Sequence, residues 1–120
     1  MSYSLVQQAI LTQTPITATY HGHYREMCPH VLGIKRGRPA TPGRGRRPGR
    51  AATPDEEHVL CYQFGGTSNT GLRPDGSGDN WRCVRVSELM NVQLAPGPWH
   101  TAPNHSRPQN CVDDIDVEVN

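Results

Sequence analysis

The chain has 120 residues and a formal charge of +1, from 12 Lys and Arg against 11 Asp and Glu. That length suits one domain and excludes an enzyme with a separate cofactor-binding half. No run of eighteen apolar residues is present, which excludes a membrane-spanning helix. The charge total hides a division, because seven basic residues (Lys35, Arg36, Arg38, Arg44, Arg46, Arg47 and Arg50) crowd into positions 35–50. The remaining residues hold five basic against eleven acidic groups, a body of net −6.

In chain order, Leu5, Val6, Ala9 and Ile10 fall on one side at helical spacing over residues 4–12, with Ser4 as N-cap. Pro15 closes that helix. Ile16, Ala18 and Tyr20 then alternate with Thr17, Thr19 and His21 as a strand. His21-Gly22 turns the chain into a second strand, Tyr24 to Ile34, in which Pro29 argues for an edge position or a bulge.

Residues 35–57 contain no Leu, Ile, Val or Phe but are rich in Arg, Gly and Pro. Such a stretch buries too little apolar surface to offset the entropy of ordering, so a disordered insertion is expected there. His58 to Phe64 reads as the clearest core strand, with Leu60, Tyr62 and Phe64 on one face and Val59, Cys61 and Gln63 on the other. A Gly-, Ser- and Asn-rich loop covers 65–80. Trp81 to Val86 is the next strand, Ser87 to Met90 a helical turn, and Val92 and Leu94 mark a further short strand. Residues 97–120 comprise an irregular segment and an acidic terminal strand, in which Ile115, Val117 and Val119 alternate with Asp114, Asp116 and Glu118. The whole is expected to be one mainly β domain, a strongly curved sheet or barrel of five or six short strands behind an N-terminal helix.

Four cysteines (Cys28, Cys61, Cys83 and Cys111) accompany an N-terminus without the charge and apolar run of an export signal. Reduced thiols in a cytoplasmic protein are therefore expected, three of them packed in strands as small hydrophobes. His21, His23, Cys28 and His30 cluster in sequence, yet the paired ligand spacing of a structural zinc site is missing, and no metal or cofactor is expected. Hydrolase, P-loop and dinucleotide-binding motifs are missing too. Cys61 lies three residues after His58, a spacing that puts the two side chains on opposite faces of a strand. The expectation is a protein without catalytic activity.

Arg25 and Arg82 each sit among apolar neighbours, Met27 and Val31 for one, Val84 and Val86 for the other. Each guanidinium therefore needs a partner. Two readings stand: ion pairs with Glu26, Glu88 or the acidic tail, or a donor set, with His30, for an anionic ligand. Lys35-Arg36-Gly37-Arg38-Pro39 matches the core of an AT-hook, and the basic run as a whole would attract nucleic acid by counterion release.

The ordered segments resemble the WYL domain of bacterial regulators. The resemblance is carried by Tyr20-His-Gly-His-Tyr-Arg25-Glu-Met-Cys-Pro29-His30-Val-Leu32, by Val59-Leu-Cys-Tyr62-Gln, and by Arg82-Cys-Val84-Arg-Val86-Ser-Glu88-Leu89. It implies an Sm-like or SH3-like barrel that binds a nucleotide, nucleic-acid fragment or other anion, with Arg25, His30, Tyr62 and Arg82 as ligand contacts. The chain departs from the family where Val59-Leu60-Cys61 replaces Trp-Tyr-Leu and where Glu88 replaces a second Arg. Implied partners are an anionic small molecule or single-stranded nucleic acid, and a second copy or a partner regulator. The competing reading is nucleic-acid binding through the basic loop at 35–50.

Overall fold

A computed structural model describes residues 2–68, 71–73, 77–102 and 110–119. Helix α1 (Ser2–Thr12) starts one turn earlier than the Ser4 cap predicts and buries Val6, Ala9 and Ile10. Strands β1 (Ile16–Tyr20), β2 (His23–Lys35), β3 (Glu56–Gly66) and β4 (Trp81–Arg85) form an antiparallel meander. A 3₁₀ turn (Val86–Glu88) then leads into β5 (Met90–Leu94), and β6 (Asp114–Glu118) closes the order. The loop expected over 65–80 and the irregular segment expected over 97–110 lie partly outside the described residues.

The sheet runs β4-β3-β2-β1-β5, with β6 on β2. Strands β4 and β5 occupy opposite ends of that order, yet only Val86 to Leu89 separate them in sequence. So short a link forces the sheet to roll until its two edges approach. Tyr20 and His21 bridge the gap: the Arg85 backbone N–H donates to Tyr20 Oη at 3.2 Å, and His21 Nε2 meets Glu88 Oε1 at 2.5 Å. No β4–β5 ladder forms, so the expected barrel is corrected to a curled, open six-stranded sheet.

Strand β2 organises the rest. One edge pairs with β3 along nearly its whole length, while the other serves β1 at His23–Met27 and then β6 at Val31–Ile34. On that edge Pro29 falls between those two partners, outside both ladders. The β2–β3 register slips between Pro29 and Val31, which makes His30 the extra residue of a bulge. Proline is therefore accommodated in a central strand by a bulge.

The slip reverses the side-chain parity of β2. Met27 faces the main core with Ile16, Ala18, Val59, Cys61 and Val84, and beyond the bulge Leu32 joins them. Val31, expected on the face of Arg25 and Met27, lies instead in a second cluster with Leu60, Cys111 and Val112, against which Trp81 packs. Helix α1 covers the first cluster, and its Tyr3 hydroxyl donates to Asp116 Oδ2 at 2.6 Å. Burial and this bond push the tyrosine's pKa up to about 12.

Strand β6 approaches β2 so closely that Gly33 has no room for a side chain. A Cβ there would collide with the Asp114 carbonyl oxygen and come within 2.7 Å of Val112 Cγ1. Gly33→Ala is expected to destabilise the fold by about 1–3 kcal/mol, the usual range for overpacking. Urea unfolding followed by circular dichroism checks this; a midpoint unchanged from wild type would mean that β6 is not held against β2.

Candidate nucleic-acid interface

The sequence predicts a disordered insertion over 35–57, and the structure describes the following geometry for that segment. Strands β2 and β3 continue their ladder out to Lys35–Glu56. Beyond it the chain forms a narrow two-stranded arm with backbone pairing between Arg38 and Thr53, Thr41 and Arg50, and Arg44 and Arg47. Backbone hydrogen bonds, rather than apolar burial, define this arm, since residues 38–55 are exposed throughout. It gives the molecule a long axis of 56 Å against 28 Å in the other two directions.

The seven cations divide by position along the arm. At its base, Lys35 Nζ lies 3.6 Å from Asp113 Oδ1, and Arg36 Nε lies 3.6 Å from Asp114 Oδ2. The Arg36 backbone N–H also donates to Asp113 Oδ2 at 2.8 Å. That bond first, and then the charges of Lys35 and Arg36, hold the Asp113 carboxyl below its usual range. Further out, Arg38, Arg44, Arg46, Arg47 and Arg50 form no ion pair among the described residues. Arg44, Arg47 and Arg50, with Thr41, Pro42 and Pro48, line an open groove of about 530 Å³.

This arrangement reassigns the AT-hook match. An AT-hook needs a free, flat Arg-Gly-Arg segment, whereas here Lys35 ends β2, Arg36 is held by Asp113, and the Gly37 backbone N–H donates to Asp55 Oδ1 at 2.7 Å. A Cβ on Gly37 would strike the Thr53 carbonyl and sit 2.6 Å from the Pro54 carbonyl carbon. Close approach of the two arm strands explains the glycine. Phosphate contact by the outer arginines fits the arm better than insertion into a minor groove.

The four residues implied by the family resemblance separate onto two faces of the sheet. Arg25 is directed to the main-core side, where its Nη1 donates to Gln63 Oε1 at 3.3 Å and its guanidinium carbon lies 5.2 Å from the Tyr20 ring centre. Arg82 is opposite Cys61 in the β3–β4 register and shares that face. Tyr62 is opposite Trp81 on the other face, with ring centres 5.1 Å apart. His30, the bulge residue, also meets Trp81 and bonds the Cys28 carbonyl and Thr101 Oγ1. Strand alternation thus puts Arg25 and Arg82 on one face of the sheet and Tyr62 and His30 on the other.

Neither arginine finds a carboxylate within ion-pair distance among the described residues, so the expected pairs with Glu26, Glu88 or the acidic tail do not form. Arg82 instead donates to the carbonyls of Gly71 and Asp79 and to Ser68 Oγ in the described parts of the 65–80 loop, and to the carbonyl of Trp81 on its own strand. Burial, and then the adjacent Arg82 charge, lower the pKa of Arg25, and its Nε is buried without a hydrogen-bond partner among the described residues. Gln63, fully buried beside it, donates to the carbonyls of Gly65 and Thr67. A polar residue at an apolar position of the strand pattern is the signal that points to Gln63.

The thiol expectation is also revised. Cys83 and Cys111 form a disulfide with Cα atoms 5.4 Å apart, because β4 and the segment entering β6 meet across the second cluster. Cys28 and Cys61 are buried outside it, and burial pushes the Cys61 thiol well up. Among the described residues, no helix is long and apolar enough to cross a membrane. No family model, no curated protein and no solved structure matches the chain.

Asp113 makes the base of the arm sensitive to acid. Its depressed pKa means that its contribution to stability is present above the unfolded value, near 3.8, and fades as pH falls through the lower folded value. Asp113→Asn should therefore lower the melting temperature at neutral pH, with the difference from wild type shrinking as pH drops below about 4. A difference that stays constant down to pH 2 would remove Asp113 from this role.

Proposed function

We propose that the protein is a non-catalytic, cytoplasmic nucleic-acid-binding module in which the folded body presents the 36–55 arm to a phosphate backbone. The observation that carries this reading is the set of five exposed arginines, Arg38, Arg44, Arg46, Arg47 and Arg50, left without ion pairs among the described residues while the two cations at the base are neutralised. Guanidinium groups match phosphate geometry, and clustered cations gain affinity by releasing condensed counterions. The arm has no Phe, Tyr or Trp to stack on bases. Binding is therefore sequence-tolerant and directed to the backbone rather than to base edges.

The body's net charge of −6 acts against a polyanion lying across it, so contact is confined to the projecting arm. A second reading, an anionic small ligand at Arg25, is favoured by a buried guanidinium that meets Gln63 and Tyr20 but no carboxylate among the described residues. This is the type of ligand that the resemblance to WYL domains implies. The two sites are separable because Arg25 lies ten residues along β2 from the base of the arm.

Fluorescence polarisation with a labelled 20-nucleotide single strand, and in parallel a duplex of the same sequence, distinguishes them. Replacing the five outer arginines with alanine is expected to weaken binding at least tenfold, about 1.4 kcal/mol or more, while Arg25→Ala leaves it unchanged. Loss of binding in Arg25→Ala with full binding in the arm variant would reject the arm in favour of the Arg25 site.

A further inference from the structure

His58 on β3, Cys83 on β4 and Cys111 before β6 converge from three separate segments, and their donor atoms all lie within 4.8 Å of one another. We propose that these three side chains form a redox-gated zinc site: with the cysteines reduced they hold one Zn²⁺, and formation of the Cys83–Cys111 disulfide expels it.

The geometry fits the metal. A tetrahedral zinc ion with Zn–S near 2.3 Å and Zn–N of about 2.0–2.1 Å sets its sulfur and nitrogen ligands about 3.5–3.6 Å apart. His58 Nδ1 stands 3.5 Å from Cys83 Sγ. In the disulfide form Nδ1 also lies 3.1 Å from the Cys111 carbonyl oxygen, where an N–H would donate. His58 Nε2 is buried and has no hydrogen-bond partner among the described residues, so the ring's second nitrogen can take the proton when Nδ1 turns its lone pair to a metal. Two thiolates and an imidazole suit a borderline-soft cation far better than Ca²⁺ or Mg²⁺. Cys83 is exposed, which leaves the fourth position open to water and the sulfur open to attack.

The chemistry balances as follows. Binding of Zn²⁺ to the reduced site releases the two thiol protons. On exposure to a low-molecular-weight disulfide, the Cys83 thiolate attacks one of its sulfurs, forming a mixed disulfide and releasing one small thiolate. The Cys111 thiolate then attacks Cys83 Sγ, closing the protein disulfide and releasing the second small thiolate. Two electrons pass from the cysteines to the small disulfide, and Zn²⁺ leaves with its oxidation state unchanged. Metal and disulfide each pin β3 or β4 to the segment that leads into β6. The reduced, metal-free protein is the form with that clamp open.

The test uses the full chain with Zn²⁺ alone as probe. Protein reduced by a phosphine and protein left oxidised are dialysed against Zn²⁺, and bound metal is measured by elemental analysis. One zinc per chain is expected for the reduced form and none for the oxidised form. Adding glutathione disulfide to the loaded protein should release one zinc, read by a chromogenic indicator, for every two cysteines oxidised. His58→Asn, whose disulfide and fold can be checked in the oxidised state, is expected to weaken zinc binding by at least about tenfold after reduction, since even the loss of a group that only orients a ligand costs that much. Equal zinc binding by the oxidised form, or undiminished binding by reduced His58→Asn and Cys83→Ser, would overturn the proposal.

Discussion

The bulge at His30 is the constraint on which the rest of the structure depends. A single thirteen-residue strand must pair with β3 on one edge and with two successive partners on the other, while accommodating a proline between them. One extra residue, His30, does this: it sits next to Pro29 between the two ladders, and it exchanges the faces of everything that follows. Leu32 thereby reaches the main core, and Val31 reaches the cluster that receives Cys111 and Val112. Without the slip, β6 would meet β2 with its faces reversed and the disulfide partners would not converge.

The same strand sets the distribution of charge. Its C-terminal end and the start of β3 project as the basic arm, and β6, docked beside that end, supplies the carboxylates that neutralise Lys35 and Arg36. The acidic tail is thus a local counterweight at the base of the arm, and the exposed positive charge is displaced outward to Arg38–Arg50. At the opposite end of β2, Arg25 and Arg82 come together on one face, where Arg82 is occupied by loop carbonyls and Arg25 by Gln63 and Tyr20. The formal +1 is a balance between regions kept apart by the fold.

Much of this was legible in the sequence, and the exceptions share a cause. Period-two alternation located β1, β3 and β5, helical spacing located α1, and the two faces of β3 were read correctly down to Cys61 against Tyr62. Local pattern could not reveal the slip at His30, because a bulge leaves no trace in residue types beyond the proline that accompanies it. That omission misplaced Val31, whereas the grouping of His30 and Tyr62 with Arg25 came from the family resemblance and runs against simple strand alternation, which already puts both on the opposite face. The disulfide and its neighbouring histidine were hidden for a related reason: three segments separated by up to 53 residues meet only after the register is fixed.

Salt dependence of nucleic-acid affinity tests the central claim, that the outer arm binds through phosphates, most directly. For a single strand, log K should fall linearly with log salt at a slope of about −0.7 per neutralised phosphate, giving a slope near −3.5 if all five outer arginines engage. A slope of about −1 or weaker in the wild-type protein would contradict the account, because it would mean that no more than one or two charges meet the backbone and that affinity arises elsewhere.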